Sequence, residues 1–285
     1  MYSVLDANLL SIPGTLAELA PLARKHGFEG ISLPREVLLD PKKADEAATI
    51  VAEQGLRWGL LHTPVDFFSD DVDGDVLDDG LRTLDAWAAA GARIGVQYAY
   101  NHVWPSNAQR PFEANFVWHV ERLKRIQEVC QRHGIRYGLE FLGPYELRTR
   151  AQHPFVHTIA GVLAIADAAE GYTGFLFDTY HWFCGSRRLD DLYYAAQHCD
   201  RMVNMHLNDG VAGRAPDEQR DMEREMPMTT GIIDTAMLYR VFREYGYPGP
   251  VMCEPMRPTT GRYASQPAEQ SVAEVAEAFR RVEKG

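Results

Sequence analysis

Polar and apolar positions along the chain fall into two repeating patterns. Amphipathic segments with apolar residues three or four positions apart are followed by a short turn and then by a nearly continuous apolar run. The first pattern is typical of surface helices, and the second is typical of parallel strands covered on both faces. The helix-like segments are Thr15–His26, Ala44–Gln54, Leu77–Ala90, Phe112–His133, His157–Glu170, Leu189–His198, Thr235–Tyr245 and Ser271–Lys284.

The apolar runs that follow these segments, together with the opening run Tyr2–Leu9, predict eight strands. Strict alternation of strands and helices indicates a parallel sheet, and eight repeats at this chain length favour a closed barrel. We therefore predict that residues 1–285 form a single (β/α)8 TIM barrel domain. An open doubly wound sheet is the alternative, but no GxGxxG or GxxxxGK[ST] turn follows any strand.

Glycines mark the predicted helix ends. The helix-like segments are followed by glycine at several joints, where a left-handed C-cap residue is expected. The glycines at these positions are Gly27, Gly55, Gly91, Gly134 and Gly246.

Composition narrows the classes of partner. The net charge of −11 disfavours broad binding to nucleic acid or to an anionic membrane. The chain opens without a basic, then apolar, leader, and its four cysteines form no regular framework. We therefore expect a cytoplasmic protein with free thiols, which forms no membrane or nucleic-acid complex.

Acids and imidazoles appear abruptly where the apolar runs end. In a barrel these ends converge at the mouth, where active sites lie. Buried carboxylates are costly unless they are paired or bind a cation. For any one of them alone, a helix N-cap or a surface salt bridge is the plainer explanation. The residues at these ends are His62, Asn101, His102, Glu140, Asp178, His181, His206, Asp209 and Glu254.

Four of these residues end four successive strands and predict a metal site. Three carboxylates and one imidazole suit a single divalent ion, which we expect to be Mn²⁺, with Mg²⁺, Co²⁺ or Zn²⁺ as alternatives. The predicted ligands are Glu140, Asp178, His206 and Glu254.

The runs GLEFLGP, FDTYHW, VNMHLND and VMCEP resemble the xylose isomerase-like TIM barrel superfamily. Within it they are most similar to the sugar and sugar-phosphate isomerase and epimerase branch, which includes tagatose 3-epimerases, hydroxypyruvate isomerases and inosose-processing enzymes. The resemblance implies the same four metal ligands at the ends of strands 5 to 8. It also implies a small carbohydrate-like substrate and chemistry through an enediolate.

The resemblance also implies roles for individual residues. Glu140 and Glu254 act as general base and general acid as well as ligands. Glu146, six residues after the first ligand, and His181, three residues after the aspartate, contact substrate. We add His62 and His102 as substrate-binding candidates, because both end strands at the mouth; the pair could also form part of a second metal site.

Two positions depart from the family pattern. A lysine expected two residues after the strand-7 histidine is Asn208, and a substrate-binding arginine expected six residues after it is Ala212. Arg214 is the nearest replacement and is our candidate for that role. Residues 209–231 are predicted to form an active-site loop, a lid or part of a subunit interface, and a homodimer or homotetramer remains possible.

Other functions compete for the same residues. An inosose dehydratase-type reaction would use the same site and lose a β-hydroxyl, and a lyase acting on glycosides is also conceivable. An endonuclease IV-like nuclease would need an Asp-x-His pair after strand 7, and residues 209–234 contain no histidine. In a non-enzymatic barrel the acids would be salt-bridged, but we find too few basic residues at the strand ends to neutralise them.

Overall fold

Eight parallel strands close into a barrel in the computed structural model, which describes residues 1–285. The strand order around the barrel is β3–β2–β1–β8–β7–β6–β5–β4. The strands are β1 (Tyr2–Leu5), β2 (Gly30–Ile31), β3 (Arg57–Trp58 and Leu60–Leu61), β4 (Tyr98–Val103), β5 (Arg136–Phe141), β6 (Gly174–Asp178), β7 (Met202–Leu207) and β8 (Pro250–Cys253). The predicted α/β barrel fold is confirmed.

Strand β3 closes the barrel with two short segments that meet at Gly59. Its first segment pairs with β2 and its second segment pairs with β4. Backbone pairing continues through the junction, because the Gly59 amide donates to the carbonyl of Ile31 at 2.9 Å. No sheet edge is therefore left between β3 and β4.

Helices separate the strands in the predicted order. The helices between strands are α1 (Leu16–Lys25), α2 (Pro41–Glu53), α3 (Gly74–Arg93), α4 (Phe112–Arg132), α6 (Ile159–Ala168), α8 (Leu189–Gln197) and α9 (Thr235–Glu244), and α11 (Ala268–Lys284) follows β8. Three shorter helices lie in loops after β5, β6 and β8: α5 (Tyr145–Arg148), α7 (Thr179–Gly185) and α10 (Thr259–Tyr263). None of the helices combines the length and the apolar character needed to span a bilayer.

Four of the five predicted C-cap glycines have positive φ, and Gly91 does not. Helix α3 continues to Arg93, and the positive φ falls on Gly95 instead, at 94°. Gly91 lies inside the helix, where an added Cβ would come within 3.1 Å of Leu61 Cδ1. The glycine thus allows α3 to pack closely on β3, and the prediction for Gly91 was wrong.

Apolar side chains fill the barrel below the mouth. The inner cluster consists of Tyr2, Val4, Leu60, Tyr98, Leu176, Val203 and Met252, with Tyr100 packed against it. A larger core lies between the sheet and the helices. The polar residues at the carboxyl ends of the strands therefore rest on a dry, packed floor.

The 209–231 loop, defined as residues 209–231, connects β7 to α9 and is closed at its base by Asp209. One oxygen of this buried carboxylate accepts the amides of Thr230 and Gly231, each at 2.8 Å. Its other oxygen accepts the amide of Ile233 at 3.0 Å. The loop therefore leaves and re-enters the barrel at one fixed point above β7.

Candidate metal centre

Four side chains from neighbouring strands meet at one point of the barrel mouth. Glu140, Asp178 and His206 lie on β5, β6 and β7, and Glu254 directly follows β8. One candidate ligand atom from each residue lies within 4.8 Å of the other three. All four side chains are buried, and Glu254, the most exposed residue, is only 4% exposed. We call these four residues the acid–histidine cluster.

Strand pairing sets the spacing within the acid–histidine cluster. His206 is in register with Asp178 on the neighbouring strand. The Glu254 amide donates to the carbonyl of Leu207 at 3.0 Å, so the chain beyond β8 still follows β7. Because parallel strands pair at their carboxyl ends, backbone hydrogen bonds hold these side chains on one level.

His206 points one nitrogen at all three carboxylates. Its Nδ1 lies 3.1 Å from Glu254 Oε1, 3.3 Å from Glu140 Oε1 and 3.6 Å from Asp178 Oδ2. These contacts are short but poorly aligned, because neither this nitrogen nor either Glu140 oxygen makes a hydrogen bond with good geometry. Buried polar atoms without partners are costly. A central divalent cation fits them, because three carboxylates and one imidazole are suitable ligands for such an ion.

Asp178 is fixed by its own loop. Its Oδ1 accepts the amides of Tyr180 at 2.6 Å and His181 at 3.0 Å, which makes it the N-cap of α7. Its Oδ2 accepts the Asn208 side-chain amide at 3.1 Å. Such hydrogen bonds orient a ligating carboxylate. Asn208, at the position where the sequence departs from the family, therefore contacts a cluster residue.

Arg224, which is not among the predicted site residues, brings a buried positive charge to the acid–histidine cluster. Its Nη1 contacts Asp178 Oδ2 at 3.0 Å and Glu254 Oε2 at 2.5 Å. Its Nη2 lies 2.7 Å from Asp221 Oδ1 and 3.3 Å from His181 Nε2. The residue is 3% exposed. The strand ends were expected to supply too few basic residues to neutralise the acids, and the positive charge of Arg224 comes instead from the 209–231 loop.

Charge pairing and burial move the pKa values of the two glutamates in opposite directions. Burial disfavours ionised Glu140, but His102 and His206 outweigh it and hold the pKa of this carboxyl well below its usual value. For Glu254 burial dominates over the contacts with His206 and Arg224, and the pKa rises to about 7. The protein side chains alone thus keep Glu140 ionised and let Glu254 exchange a proton near neutral pH. A bound dication would lower the pKa of both carboxyls.

The predicted substrate-binding residues fall in different surroundings. His102 Nε2 lies 3.0 Å from Glu140 Oε2, and its side chain is 41% exposed. Burial lowers the pKa of His102, but the Glu140 charge outweighs it and raises the pKa to about 9. His181 is buried, with Nε2 3.9 Å from Glu140 Oε1. Burial lowers the pKa of His181. Both imidazoles therefore adjoin the acid–histidine cluster.

Two other predicted residues make their contacts with residues of the 209–231 loop instead, and one of them, Arg214, lies in the loop itself. Glu146 accepts the Asp221 amide at 2.7 Å through Oε1 and pairs with Arg220 at 2.9 Å through Oε2. Arg214 pairs with Glu223 at 2.6 Å. The guanidinium at the acid–histidine cluster belongs to Arg224 and not to Arg214.

A cavity of about 450 Å³ opens beside the acid–histidine cluster. It reaches from His206 and His102 to side chains on the other half of the mouth. This size lies within the range of roughly 300–1,000 Å³ typical of small-molecule sites. Its lining residues are Asp6, Asn8, Leu9, Arg35, Leu60, Leu61, His62, Thr63, Pro64, Val65, Asp66, Tyr100, Asn101, His102, His206 and Met252.

A family model matches most of the chain. The model of the xylose isomerase-like TIM barrel matches residues 20–282. The chain therefore belongs to the xylose isomerase-like TIM barrel family, as the sequence motifs predict. No curated protein matches the chain at a significant level.

Solved structures share the whole barrel. A xylose isomerase domain protein from Alicyclobacillus acidocaldarius is 25% identical, with a TM-score of 0.82 over 99% of this chain and 98% of that chain. The IOLI protein with a bound zinc atom is 18% identical, with a TM-score of 0.80 over 99% and 98% of the two chains. D-psicose 3-epimerase with D-tagatose, from Clostridium cellulolyticum H10, is 13% identical, with a TM-score of 0.72 over 100% and 99%.

Proposed function

We propose that this protein is a divalent-metal-dependent isomerase or epimerase that acts on a sugar, ketose or cyclitol-like substrate. The observation that carries the proposal is the acid–histidine cluster, whose four candidate ligand atoms lie within 4.8 Å of one another beside a cavity of about 450 Å³. Glu140, Asp178, His206 and Glu254 would hold the ion, with Mn²⁺ as our first expectation.

The ion would supply Lewis acidity, which polarises a carbonyl and lowers the pKa of the neighbouring C–H bond. The two glutamates then have complementary proton roles. A carboxylate oxygen of one takes the proton from carbon, and a carboxyl of the other returns a proton.

Other side chains support this chemistry. Each of the two glutamates has a cation beside it. His102 contacts Glu140, and Arg224 contacts Glu254. All four cluster residues are buried, so their side chains are shielded from bulk water. His181, His62 and His102 remain our candidates for binding substrate hydroxyls. Glu146 would have to break its contacts with Arg220 and with the Asp221 amide before it could bind a hydroxyl.

The solved relatives are consistent with this proposal. One is an epimerase described with D-tagatose, and another is described with a zinc atom. A nuclease with several metals is less well supported, because the acid–histidine cluster contains four residues and includes neither His62 nor His102. A net charge of −11 also disfavours a nucleic-acid substrate.

Metal content tests the acid–histidine cluster directly. We expect the purified protein, incubated with Mn²⁺ and dialysed, to retain about one ion per chain by elemental analysis. Glu254→Gln should bind the ion at least about tenfold more weakly, because it removes a charged ligand. The matched control is Glu244→Gln, an exposed glutamate at the end of α9. Full metal retention by Glu254→Gln would refute the ligand assignment.

Exchange in D₂O tests the reaction. The metal-loaded protein is incubated with ketoses, inososes and their phosphates, and deuterium at the carbon next to the carbonyl is measured by NMR. Deuterium together with a changed configuration or carbonyl position supports an isomerase or epimerase, whereas loss of water would assign a dehydratase. If no compound gains deuterium, proton abstraction as the reaction is wrong. Cleavage of an abasic duplex would assign a nuclease.

A further inference from the structure

The cavity extends well beyond the acid–histidine cluster. Of its lining residues, only His206 and Met252 come from β5 to β8, and the remainder come from the first half of the chain. A substrate that reaches the cluster would therefore place its far end against β1, β3 and their loops. We call the part of the cavity around Asp6 and His62 the distal pocket.

His62 lines the distal pocket, and its buried Nε2 has no hydrogen-bond partner. A neutral imidazole has one donor and one acceptor nitrogen, so Nε2 can pair with a hydroxyl group, which both donates and accepts. Burial lowers the pKa of His62, which keeps the ring neutral.

Asp6 presents an acceptor to the same pocket. The residue is 9% exposed. Its Oδ1 accepts the Leu9 amide at 3.0 Å, and Oδ2 receives no hydrogen bond from the protein. Asp6 Oδ2 therefore calls for a donor from a ligand, and His62 Nε2 for either a donor or an acceptor. Neighbouring hydroxyl groups can each give one hydrogen, whereas a phosphate dianion has none to give.

The charge around the distal pocket points the same way. The cavity is lined by two carboxylates, Asp6 and Asp66, and by two cations, Arg35 and His102. Arg35 is exposed, and its guanidinium lies 6.0 Å from the ring of Trp87. His102 is paired with Glu140. An anionic group in the distal pocket itself would therefore face the Asp6 carboxylate.

We propose that Asp6 and His62 bind neighbouring hydroxyl groups at the far end of an uncharged polyol, so that the substrate is an unphosphorylated sugar or cyclitol. This inference rests on the proposed function and deepens it. Asp6 and His62 act as specificity-determining residues, because they contact the part of the substrate that does not react. A phosphorylated substrate is disfavoured by the Asp6 carboxylate, which repels an anion and needs a donor.

Binding of unreactive probes tests the distal pocket separately from the reaction. Full-length protein, as purified and after incubation with Mn²⁺, is titrated calorimetrically with glucitol, glucitol 6-phosphate and 1-amino-1-deoxyglucitol. None of these probes has a carbonyl, so their binding does not depend on turnover. We expect glucitol to bind at least tenfold more tightly than its phosphate, and more tightly than the amine.

Variants assign that binding to the two residues. Asp6→Asn replaces one acceptor oxygen with a donor at constant size, and His62→Phe keeps an aromatic ring. Each should weaken glucitol binding about 5- to 10-fold, the effect of one hydrogen bond. Glu46→Gln, an exposed carboxylate on α2 outside the lining, is the control and should bind as wild type. Unchanged circular dichroism and metal content show that each variant is folded.

Other outcomes overturn the inference. Tighter binding of the phosphate or of the amine would assign the distal pocket to an ion. Unaltered glucitol binding in both variants, or no binding of any probe, would remove Asp6 and His62 from recognition. A protein that binds glucitol as expected but exchanges no deuterium would contradict the proposed reaction and leave the distal pocket intact.

Discussion

Arg224 shows how one side chain can change the charge of a whole site. Without it, three buried carboxylates would face one another with only His206 and His102 to offset them. Its guanidinium contacts Asp178 and Glu254 and brings positive charge from a loop. Burial disfavours its charged form, but Glu254 and Asp178 outweigh this and raise the pKa of Arg224 further above its usual value. The residue is therefore a permanent cation of the acid–histidine cluster.

Removal of Arg224 should destabilise the protein much more without metal than with it. Arg224→Met leaves two buried carboxylates less compensated, and loss of one partner from a buried ion pair costs about 3–5 kcal/mol. A bound dication would compensate them instead. We expect the rise in melting temperature on adding Mn²⁺ to be larger in Arg224→Met than in the wild type. Thermal unfolding with Mn²⁺ and with a chelator measures it.

Arg220→Gln is the control for this comparison, because Arg220 lies on the same loop and pairs with Glu146 outside the acid–histidine cluster. This variant should show the same rise in melting temperature on adding Mn²⁺ as the wild type. An equal loss of stability in Arg224→Met with and without metal would show that Arg224 does not compensate these carboxylates.

The polar residues at the carboxyl ends of the strands could be predicted from the sequence because one rule applies to every strand. A buried parallel strand is apolar, so the first polar residue after it marks the mouth of the barrel. Glu140, Asp178 and Glu254 follow this rule, and the structure places them together. The same rule misses Arg224, which lies in a loop without periodicity and 30 positions before Glu254. The only feature that marks Arg224 in the sequence is its position among acidic residues.

Loop contacts explain the other differences between sequence and structure. Glu146 is held by Arg220 and by the Asp221 amide, which lie more than 70 positions later in the chain. No local pattern encodes a contact at that separation. The helix end at Gly91 was misplaced for a related reason, since packing on Leu61 decides the role of that glycine. Tertiary contacts, rather than local propensity, fix these features.

The 209–231 loop depends on Asp209 for its closed base. Asp209→Asn replaces one acceptor oxygen with a donor that faces backbone amides. A buried amide left without a partner costs about 1–3 kcal/mol. We expect faster tryptic cleavage after Arg214 and Arg220 in this variant, at unchanged far-ultraviolet circular dichroism. Limited proteolysis with mass spectrometry locates the cuts.

Asp217→Asn is the matched control, because Asp217 lies on the same loop but pairs with Arg148 at an exposed position. Its cleavage rate should stay close to that of the wild type. If Asp209→Asn resists trypsin as well as the control does, other contacts suffice to hold the loop. The contacts of Tyr180 with the loop backbone are an example.

Stability of the molecule against acid depends partly on a histidine far from the acid–histidine cluster. His119 on α4 is buried and stacks on Phe68 at 4.9 Å. Burial lowers its pKa to about 3, although a hydrogen bond to the Asn115 carbonyl opposes the shift. The unfolded chain therefore binds a proton below about pH 6.5 that the folded chain does not. The contribution of His119 to the free energy of unfolding therefore falls as the pH falls through this range.

Between pH 7 and pH 5, His119 should account for about 2 kcal/mol of this loss. His119→Phe keeps an aromatic ring and removes the titration, so its unfolding free energy should depend less on pH by that amount. Urea denaturation at the two pH values measures the difference. His153→Phe, an imidazole that is only partly buried, is the control. Identical pH dependence in wild type and His119→Phe would contradict a buried neutral imidazole.

The two sides of the barrel mouth come from different halves of the chain. The acid–histidine cluster lies between residues 140 and 254, whereas most of the cavity lining lies between residues 6 and 102. Substitutions in the first half can therefore reshape what the cavity accepts without touching the candidate ligands. Chimaeras with the first four β/α units of one relative and the last four of another would separate the two properties. Variants with altered substrate preference should therefore be sought first in mutant libraries restricted to the loops after β1, β2 and β3.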